Sequence, residues 1–568
     1  MTKKDYIKLL ETIGLYMELK GENTFKVSAY RKAAAALEQS QVPIDELADF
    51  TVLPGIGKGV SEVLNEYRAT GESSLLEELK EAVPAGHIQM LKIRNLGAKK
   101  IVKLYKELNI TTIDELKAAC ESHAVSGLTG FGKKTEETIL QGIQDLETKK
   151  EHITIHEAVK LTGFINQTLE EAAHVKRFAV AGSHRRMKEL SKDLDYIVVT
   201  DDALAAAKEI EAFTFIQHIE VSGQEKVSVT VKMDDLESGV DFRFTDDKGF
   251  VQMLNHFTGS KEHNVKMRQL AKARDEKVNE YGITLADGTL KQYDSEEAIY
   301  KHYQLNYIPP EMRDDVTAFE VEQSEILKLS DIRGDLHMHT TASDGAFELE
   351  EMIEACIQKG YDYMAITDHS RSLKVANGLS VERLLAQNQK IKELNQAYSE
   401  IDIYSGIEMD ILPDGTLDYA DDVLKELDYV IAAIHQSFNQ SEEETMQRLI
   451  NACQNPYVRQ IAHPTGRLIG RRSGYAVNMA ELIEVAGQTN TVLEINANPM
   501  RLDLSAEVIR QYPDIKLAIN TDAHHTSHLE FMKYGVGTAI KGHVKREQVL
   551  NTLTREAFHD WLQKGKTT

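Results

Sequence analysis

Through roughly the first 150 residues, apolar positions recur at helical spacing. Ile7, Leu10, Ile13, Tyr16 and Met17 mark the first such face. Three glycine-bearing loops interrupt this helical pattern, at 53–60, 94–100 and 127–134. The spacing then changes. Arg177-Phe178-Ala179-Val180-Ala181, Asp193-Leu194-Asp195-Tyr196-Ile197-Val198-Val199 and Val240-Asp241-Phe242-Arg243-Phe244 alternate with a period of two and predict strands. A charged stretch from Thr317 to Leu329 reads as a helical connector. From about residue 333 onward, short apolar runs alternate with helical stretches, the pattern of a parallel α/β barrel.

The second strand concentrates chemistry. Asp193 and Asp195 stand at i and i+2, so both carboxylates face one way while Leu194 and Tyr196 face the other. Carboxylates held together repel unless a cation sits between them. A hard, oxygen-loving ion such as Mg2+ suits such a pair together with substrate phosphates. An isolated Asp-x-Asp pair is most often a solvated strand feature. Here Asp241 brings a third carboxylate on another alternating strand, and three carboxylates can hold two metals about 4 Å apart for in-line phosphoryl or nucleotidyl transfer. The Gly182-Ser183 turn offers N–H groups and a hydroxyl, and Arg186 adds charge, a set that suits a triphosphate.

The glycine loops point to nucleic acid. Leu53-Pro54-Gly55-Ile56-Gly57-Lys58-Gly59-Val60 sets a Gly-x-Gly turn between helices, where N–H groups can approach a phosphate at a helix start. Similar helix-hairpin-helix loops follow, with Gly97 and Lys99 in one and Gly130, Gly132 and Lys133 in the other. The middle loop has Asn95 where glycine is usual, and asparagine tolerates the left-handed conformation. Repetition favours non-specific backbone binding over three unrelated turns. Lys26, Tyr30, Arg31 and Lys32 can share one helix side and hold a DNA 5′-phosphate, although a solvated face explains that segment about as well.

In the last 235 residues or so, metal-ligand residue types fall where apolar runs end. His337 and His339 lie in Asp335-Leu336-His337-Met338-His339; His369, Glu408, His435, His463, Asp522 and His524 each follow a predicted strand, and Asp344 lies close behind the first pair. Residues at strand C-terminal ends converge on one barrel mouth. Nine N/O ligands are enough for about three divalent ions, with Zn2+, Mn2+ or Fe suiting imidazole plus carboxylate.

Composition narrows the remainder. A chain of 568 residues implies several domains, and 42% hydrophobic with 27% charged residues is ordinary for globular cores. The net charge of −24 excludes a uniformly basic protein, leaving local patches to contact DNA. Cys120, Cys356 and Cys453 lie far apart with no Cys-x-x-Cys, which argues against a disulfide framework and fits a reducing cytoplasm. The N-terminal segment is charged and amphipathic, so neither a signal peptide nor a membrane span is expected.

Gly182-Ser183-His184-Arg185-Arg186, then Asp193-x-Asp195, then Asp241-Phe242-Arg243 resembles the family X DNA polymerases over most of residues 1–315. Phe257-Thr258-Gly259-Ser260-Lys261-Glu262-His263-Asn264 with Met267-Arg268 is similar to that family's nucleotide-binding segment. The resemblance implies a multidomain α+β polymerase. Its parts would be an 8-kDa-like helix-hairpin-helix domain (1–85), fingers (86–150), a nucleotidyltransferase palm (151–250) and a thumb that selects nucleotides (251–315). It implies Asp193, Asp195 and Asp241 as catalytic ligands of Mg2+ or Mn2+, with Asp241 the base for the primer hydroxyl. Gly182, Ser183, Arg186, His256, Phe257, Gly259, Asn264 and Arg268 would surround the nucleotide. His256 replaces the family's usual tyrosine, so sugar discrimination is expected to differ.

After a linker (316–332), residues 333–568 resemble the PHP (polymerase and histidinol phosphatase) domain, implying a distorted seven-stranded (β/α) barrel that hydrolyses phosphoesters. Arg467 or Lys374 would neutralise the phosphate there. The expected protein is a monomeric, cytoplasmic, gap-filling repair polymerase acting on gapped or primer-template DNA with dNTPs. Its PHP half would supply 3′→5′ exonuclease, with 3′-phosphatase or abasic-site endonuclease as further options. The rivals are a small-metabolite phosphatase on a DNA-binding tether and a non-catalytic DNA-end scaffold.

Family members with deoxyribose-phosphate lyase activity carry a Schiff-base lysine nine residues after the proline of the first hairpin; this chain has Val63 there, with Lys26 and Lys58 the weaker alternatives. Borohydride treatment on an abasic-site substrate is therefore expected to trap no covalent adduct, and an adduct would overturn that expectation.

Overall fold

The helix-hairpin-helix loops that look alike in sequence share one backbone bond among their described residues. In each, an apolar N–H bonds back three residues: Ile56 to Leu53 O (3.1 Å), Leu96 to Ile93 O (3.1 Å) and Phe131 to Leu128 O (2.9 Å). Those apolar side chains are buried and pin the turns to the helices behind them. Gly55 and Gly130 adopt φ of 96° and 86°, the left-handed conformation that the third residue of such a turn demands. Gly57 and Gly97 then cap helices Lys58–Thr70 and Ala98–Leu108 without any side-chain cap, and Gly132 precedes helix Lys133–Thr148. The first N–H groups of these helices are left for an external acceptor.

These features come from a computed structural model that describes residues 3–40, 47, 49–91, 93, 96–148, 152–321 and 325–565. Arg94 and Asn95 of the middle hairpin lie outside the described residues. The chain divides into two units, residues 1–150 and 151–568. Among its described residues the first is helical throughout, with cores around Leu10, Ile13 and Phe50 and around Ile101, Leu104 and Leu116.

The second unit opens with a five-stranded sheet in the order Arg177–Val180, Asp193–Val199, Leu236–Thr245, Lys226–Met233, Ile216–Ser222. Only Asp193–Val199 and Leu236–Thr245 run parallel; the other pairs are antiparallel. One face buries Leu194, Tyr196, Val198, Val240 and Phe242 against helices Ile155–Glu171 and Ala203–Glu211. Helices Phe250–Thr258 and Lys261–Lys272, a small antiparallel sheet and helix Glu296–His302 follow. Among them Arg313 is fully buried. It pairs with Glu296 (2.6 Å), donates to Ile308 O (2.8 Å) and lies over the rings of Tyr300 and Tyr307.

The expected helical connector forms no α-helix among its described residues. Among its described residues the chain makes single 3-10 turns at Thr317–Phe319 and Leu329–Asp331. Between them Ile326 bridges Lys545, and Leu327 donates to Val544 O (3.1 Å). Ile326 and Leu327 are buried, so pairing with the following domain overrides local helical preference.

Seven parallel strands then follow in sequential order: Gly334–Asp335, Tyr363–Ile366, Asp402–Asp410, Tyr429–Ala433, Val458–Ile461, Val492–Asn496 and Leu517–Asn520. A parallel bridge between Met338 and Ala523 joins first to last, reinforced by His339 N to Ala523 O (2.8 Å). The strands are buried on both faces, as a parallel sheet wrapped by helices requires. The result is a nearly closed seven-stranded barrel. Replacing Arg313 with Ala would leave Glu296 with one of its two guanidinium partners; it is expected to cost about 3–5 kcal/mol in denaturant unfolding, as loss of one partner of a buried pair does.

Candidate functional site

Register brings the first three carboxylates together. Asp195 lies directly beside Asp241 across the parallel pair, and Asp193 lies beside Gly239. Because Leu194, Tyr196, Val240 and Phe242 fill the core, Asp193, Asp195 and Asp241 occupy the opposite face. Gly182 makes room for them. Its φ is 61°, and a Cβ there would overlap the Asp195 carboxylate. Ser183 follows in the same single helical turn, Gly182–Arg185, and its hydroxyl donates to Ser191 (2.9 Å).

Burial, with Asp193 and Asp241 alongside, raises Asp195 to about 6. Carboxylates brought together in this way suit a divalent cation. Asp241 accepts from Ser228 (2.6 Å), Lys226 (3.1 Å) and Arg243 (3.1 Å), and the Arg243 guanidinium lies 4.0 Å over the Phe257 ring.

The residues expected around a nucleotide are more committed than the sequence suggests. Arg186 donates to Asp314 (2.7 Å) and to Thr258 O (2.8 Å), and Lys541 joins the same Asp314. In this arrangement Arg186 ties the turn to Asp314 and to the end of helix Phe250–Thr258. Asn264 donates to His256 O (2.8 Å) and braces the turn after helix Phe250–Thr258. Gly259 has an extended backbone, not a left-handed one; a Cβ there would meet Asn264 Oδ1 at 2.6 Å, so close approach explains the glycine. Arg268 stays exposed one turn beyond Asn264, and His256 lies edge-on to Phe257 at 5.1 Å.

In the helical unit Gly57, Gly97 and Gly132 have open space around them, and Lys58, Lys99 and Lys133 are exposed. Tyr30 does not share a face with Lys26, Arg31 and Lys32: it is buried in the core, while Lys26 pairs with Glu22 (3.2 Å) and Arg31 with Glu18.

The barrel mouth gathers all nine expected residues. Three groups stand at metal-ligand spacing: His339, Asp344, His369 and His524; His337, His339 and Asp522; and His369, Glu408 and His435. His463 Nε2 lies 2.8 Å from Glu408. Several rings are aimed from behind. His337 Nδ1 donates to Glu494 (2.8 Å), His435 Nδ1 to Asp410 (3.0 Å) and His524 Nδ1 to Asp522 O (2.8 Å). Each outer bond fixes a tautomer and turns Nε2 into the mouth. His337 Nε2, His339 Nδ1 and Glu408 Oε2 are buried there without hydrogen-bond partners, as unfilled ligand positions would be. Against the cost of burial, Glu408 and Asp410 push His435 up to about 10. Burial and the neighbouring His524 and His369 push His339 down to about 3.

Sequence reasoning missed Glu494, Asp410 and Arg501. Glu494 and Asp410 are buried carboxylates inside strands, and a lone Glu within Thr491-Val492-Leu493-Glu494-Ile495 was the available signal. Arg501 stands 3.7 Å from Asp522. Arg467, expected to meet a phosphate, is instead paired with Glu189 (2.7 Å), and Lys374 is exposed on a 3-10 turn.

Residues 1–73 match the helix-hairpin-helix domain family, 88–145 the tandem helix-hairpin-helix family, 253–314 the DNA polymerase beta thumb and 335–498 the PHP domain. A Bacillus subtilis (strain 168) protein described as DNA polymerase/3′-5′ exonuclease PolX is 50% identical over 570 residues, covering 100% of both chains. A probable phosphatase of Caldanaerobacter subterraneus subsp. tengcongensis is 31% identical over 28% of this chain and 61% of its own. One from Thermoanaerobacter sp. (strain X514) is 26% identical over 38% of this chain and 89% of its own. No described helix is long and apolar enough to cross a membrane.

Asp195 titrates near 6 when folded against 3.8 in its ordinary state, so the unfolded chain ionises first and stability falls as pH rises through that window. With chelator present, Asp195→Asn should therefore exceed the wild type by about 1–3 kcal/mol above pH 6 and match it below pH 4 in denaturant melts. Equal stability at pH 7.5 would contradict the crowding of charge.

Proposed function

The chain belongs to the bacterial family X DNA polymerases that carry a C-terminal PHP domain, and from that premise we propose that it both extends and trims DNA 3′ ends, as a DNA polymerase with 3′→5′ exonuclease activity. The observation that carries this reading is the presence of two separate ligand nests on one chain. One is three carboxylates on adjacent parallel strands, the other an imidazole-rich barrel mouth. A small-metabolite phosphatase would need only the second. The full-length match to a polymerase/exonuclease, against partial matches to probable phosphatases, supports the larger reading.

In the palm, Asp193, Asp195 and Asp241 would hold the cations while Gly182 keeps the space beside Asp195 clear. The Ser183 hydroxyl and the turn's N–H groups would meet a triphosphate, and Phe257 and Arg268 would meet the base pair. In the barrel, His337, His339, Asp344, His369, Glu408, His435, His463, Asp522 and His524 are the ligand set, aimed by Glu494 and Asp410. Divalent cations, Mg2+ or Mn2+ in the palm and about three of Zn2+, Mn2+ or Fe in the barrel, would supply Lewis-acid activation of the attacking oxygen and neutralise phosphate charge. Arg501, 3.7 Å from Asp522, would neutralise the phosphoester. The uncapped helix starts would grip the DNA backbone without regard to sequence. The substrates would be gapped or primer-template DNA and dNTPs. The role would be short-gap filling in base-excision repair, by a monomer in the cytoplasm.

Asp193→Ala should abolish primer extension on gapped DNA, by about 10³-fold or more, while leaving degradation of a 3′ end intact. His339→Ala should do the reverse and lower the bound metal measured by mass spectrometry. Loss of both activities in either variant would contradict two independent centres.

A further inference from the structure

Beside the barrel mouth lies a groove of about 410 Å³ lined by Glu189, Leu190 and the loop Arg467–Ser473. Its two walls come from elements already assigned to different centres. Leu190 belongs to the short strand just before Asp193, and the loop begins four residues after the mouth histidine His463.

The loop is a built structure. Thr465 and Gly466 donate three bonds to the buried Asp503. Leu468 and Arg472 exchange backbone bonds of 2.8 Å, which puts Arg471 at a hairpin tip, and Ile469 donates to Met500 O (2.8 Å). Arg472 is locked by two bonds to Gly466 O and lies 4.0 Å over the Phe438 ring.

The charge is one-sided. Glu189 neutralises Arg467, but Arg471 and Arg472 have no carboxylate partner among the described residues. Arg501 continues the run inward to Asp522 at 3.7 Å, and it is close enough to Arg472 to help hold that guanidinium below its ordinary range after burial. On a protein of net charge −24 this cationic run stands out. Leu190, half exposed at the groove edge, adds an apolar surface for a base.

A positive groove that can track a phosphate backbone is one element of how a single nucleic-acid strand is bound. We propose that this groove is the track along which single-stranded DNA runs from the palm edge into the barrel mouth, with Arg471 and Arg501 meeting phosphates of the strand and Arg472 adding its charge from the groove wall. The proposal rests on the polymerase and exonuclease reading and adds the route that the strand takes. An acidic peptide from a partner protein is the competing occupant.

The test uses the full-length protein with Mn2+ and the variants Arg471→Glu and Arg471→Lys, since Arg471 is exposed and makes no side-chain bond that folding needs. Two substrates are compared: a single-stranded oligonucleotide and the p-nitrophenyl ester of thymidine 5′-monophosphate, too small to reach the groove. Arg471→Glu should raise KM for the oligonucleotide about fivefold or more and reduce the slope of log KM against log salt by about 0.7, one single-strand phosphate contact. Hydrolysis of the ester and extension of a matched primer should be unchanged, and Arg471→Lys should restore most of the oligonucleotide KM. An oligonucleotide KM within twofold of wild type, as an acidic-peptide site would give, overturns the track, and so does an equal loss on both substrates. A wild type that leaves DNA intact while hydrolysing the ester sinks the exonuclease reading itself, and the track with it.

Discussion

Both centres depend on one constraint: strand geometry packs ionisable side chains close together with little water between them. In the palm, parallel pairing sets Asp195 beside Asp241, and burial with their mutual repulsion lifts Asp195 to about 6. In the barrel, Glu408 sits among His337, His369, His435 and His463, several of them with ring nitrogens turned inward. Backbone geometry imposes both crowds. The first follows from strand register and the second from the convergence of strand ends.

The supporting residues share a logic. Gly182 creates space where a side chain would collide with Asp195. Glu494 and Asp410 hold His337 and His435 from behind, so that fewer ring orientations compete with the one facing the mouth. The segment between the Gly-Ser turn and Asp193 also ties the domains of the second unit together. Arg185 reaches Glu296, Arg186 reaches Asp314, which Lys541 shares, and Glu189 reaches Arg467. A change in this turn is therefore felt by the thumb and by the barrel as well as by the palm.

Much of this was legible in the sequence because it depends on local period. Alternation put Asp193, Asp195 and Asp241 on one face, and the barrel residues announced themselves by following apolar runs. What was not legible depends on distant partners. Nothing near Arg186 or Arg467 in sequence foretells Asp314 or Glu189, 128 and 278 positions away, so both looked like free phosphate ligands. Tyr30 shares a helix with Lys26, Arg31 and Lys32, and only the packing of neighbouring helices turned it inward. The connector failed for the same reason: Ile326 and Leu327 gain more from an extended pairing beside Val544 and Lys545 than from a helix of their own. Glu494 was hidden by its surroundings, a single acid in a run of apolar residues.

The most direct measurement is anomalous diffraction from crystals of the full-length protein soaked in Mn2+ with gapped DNA and a non-hydrolysable dNTP. The account predicts density at two places, between Asp193, Asp195 and Asp241 and at the mouth lined by His337, His339, His369 and Glu408. Density at only one of them, or ions held elsewhere with the barrel imidazoles bare, would contradict it.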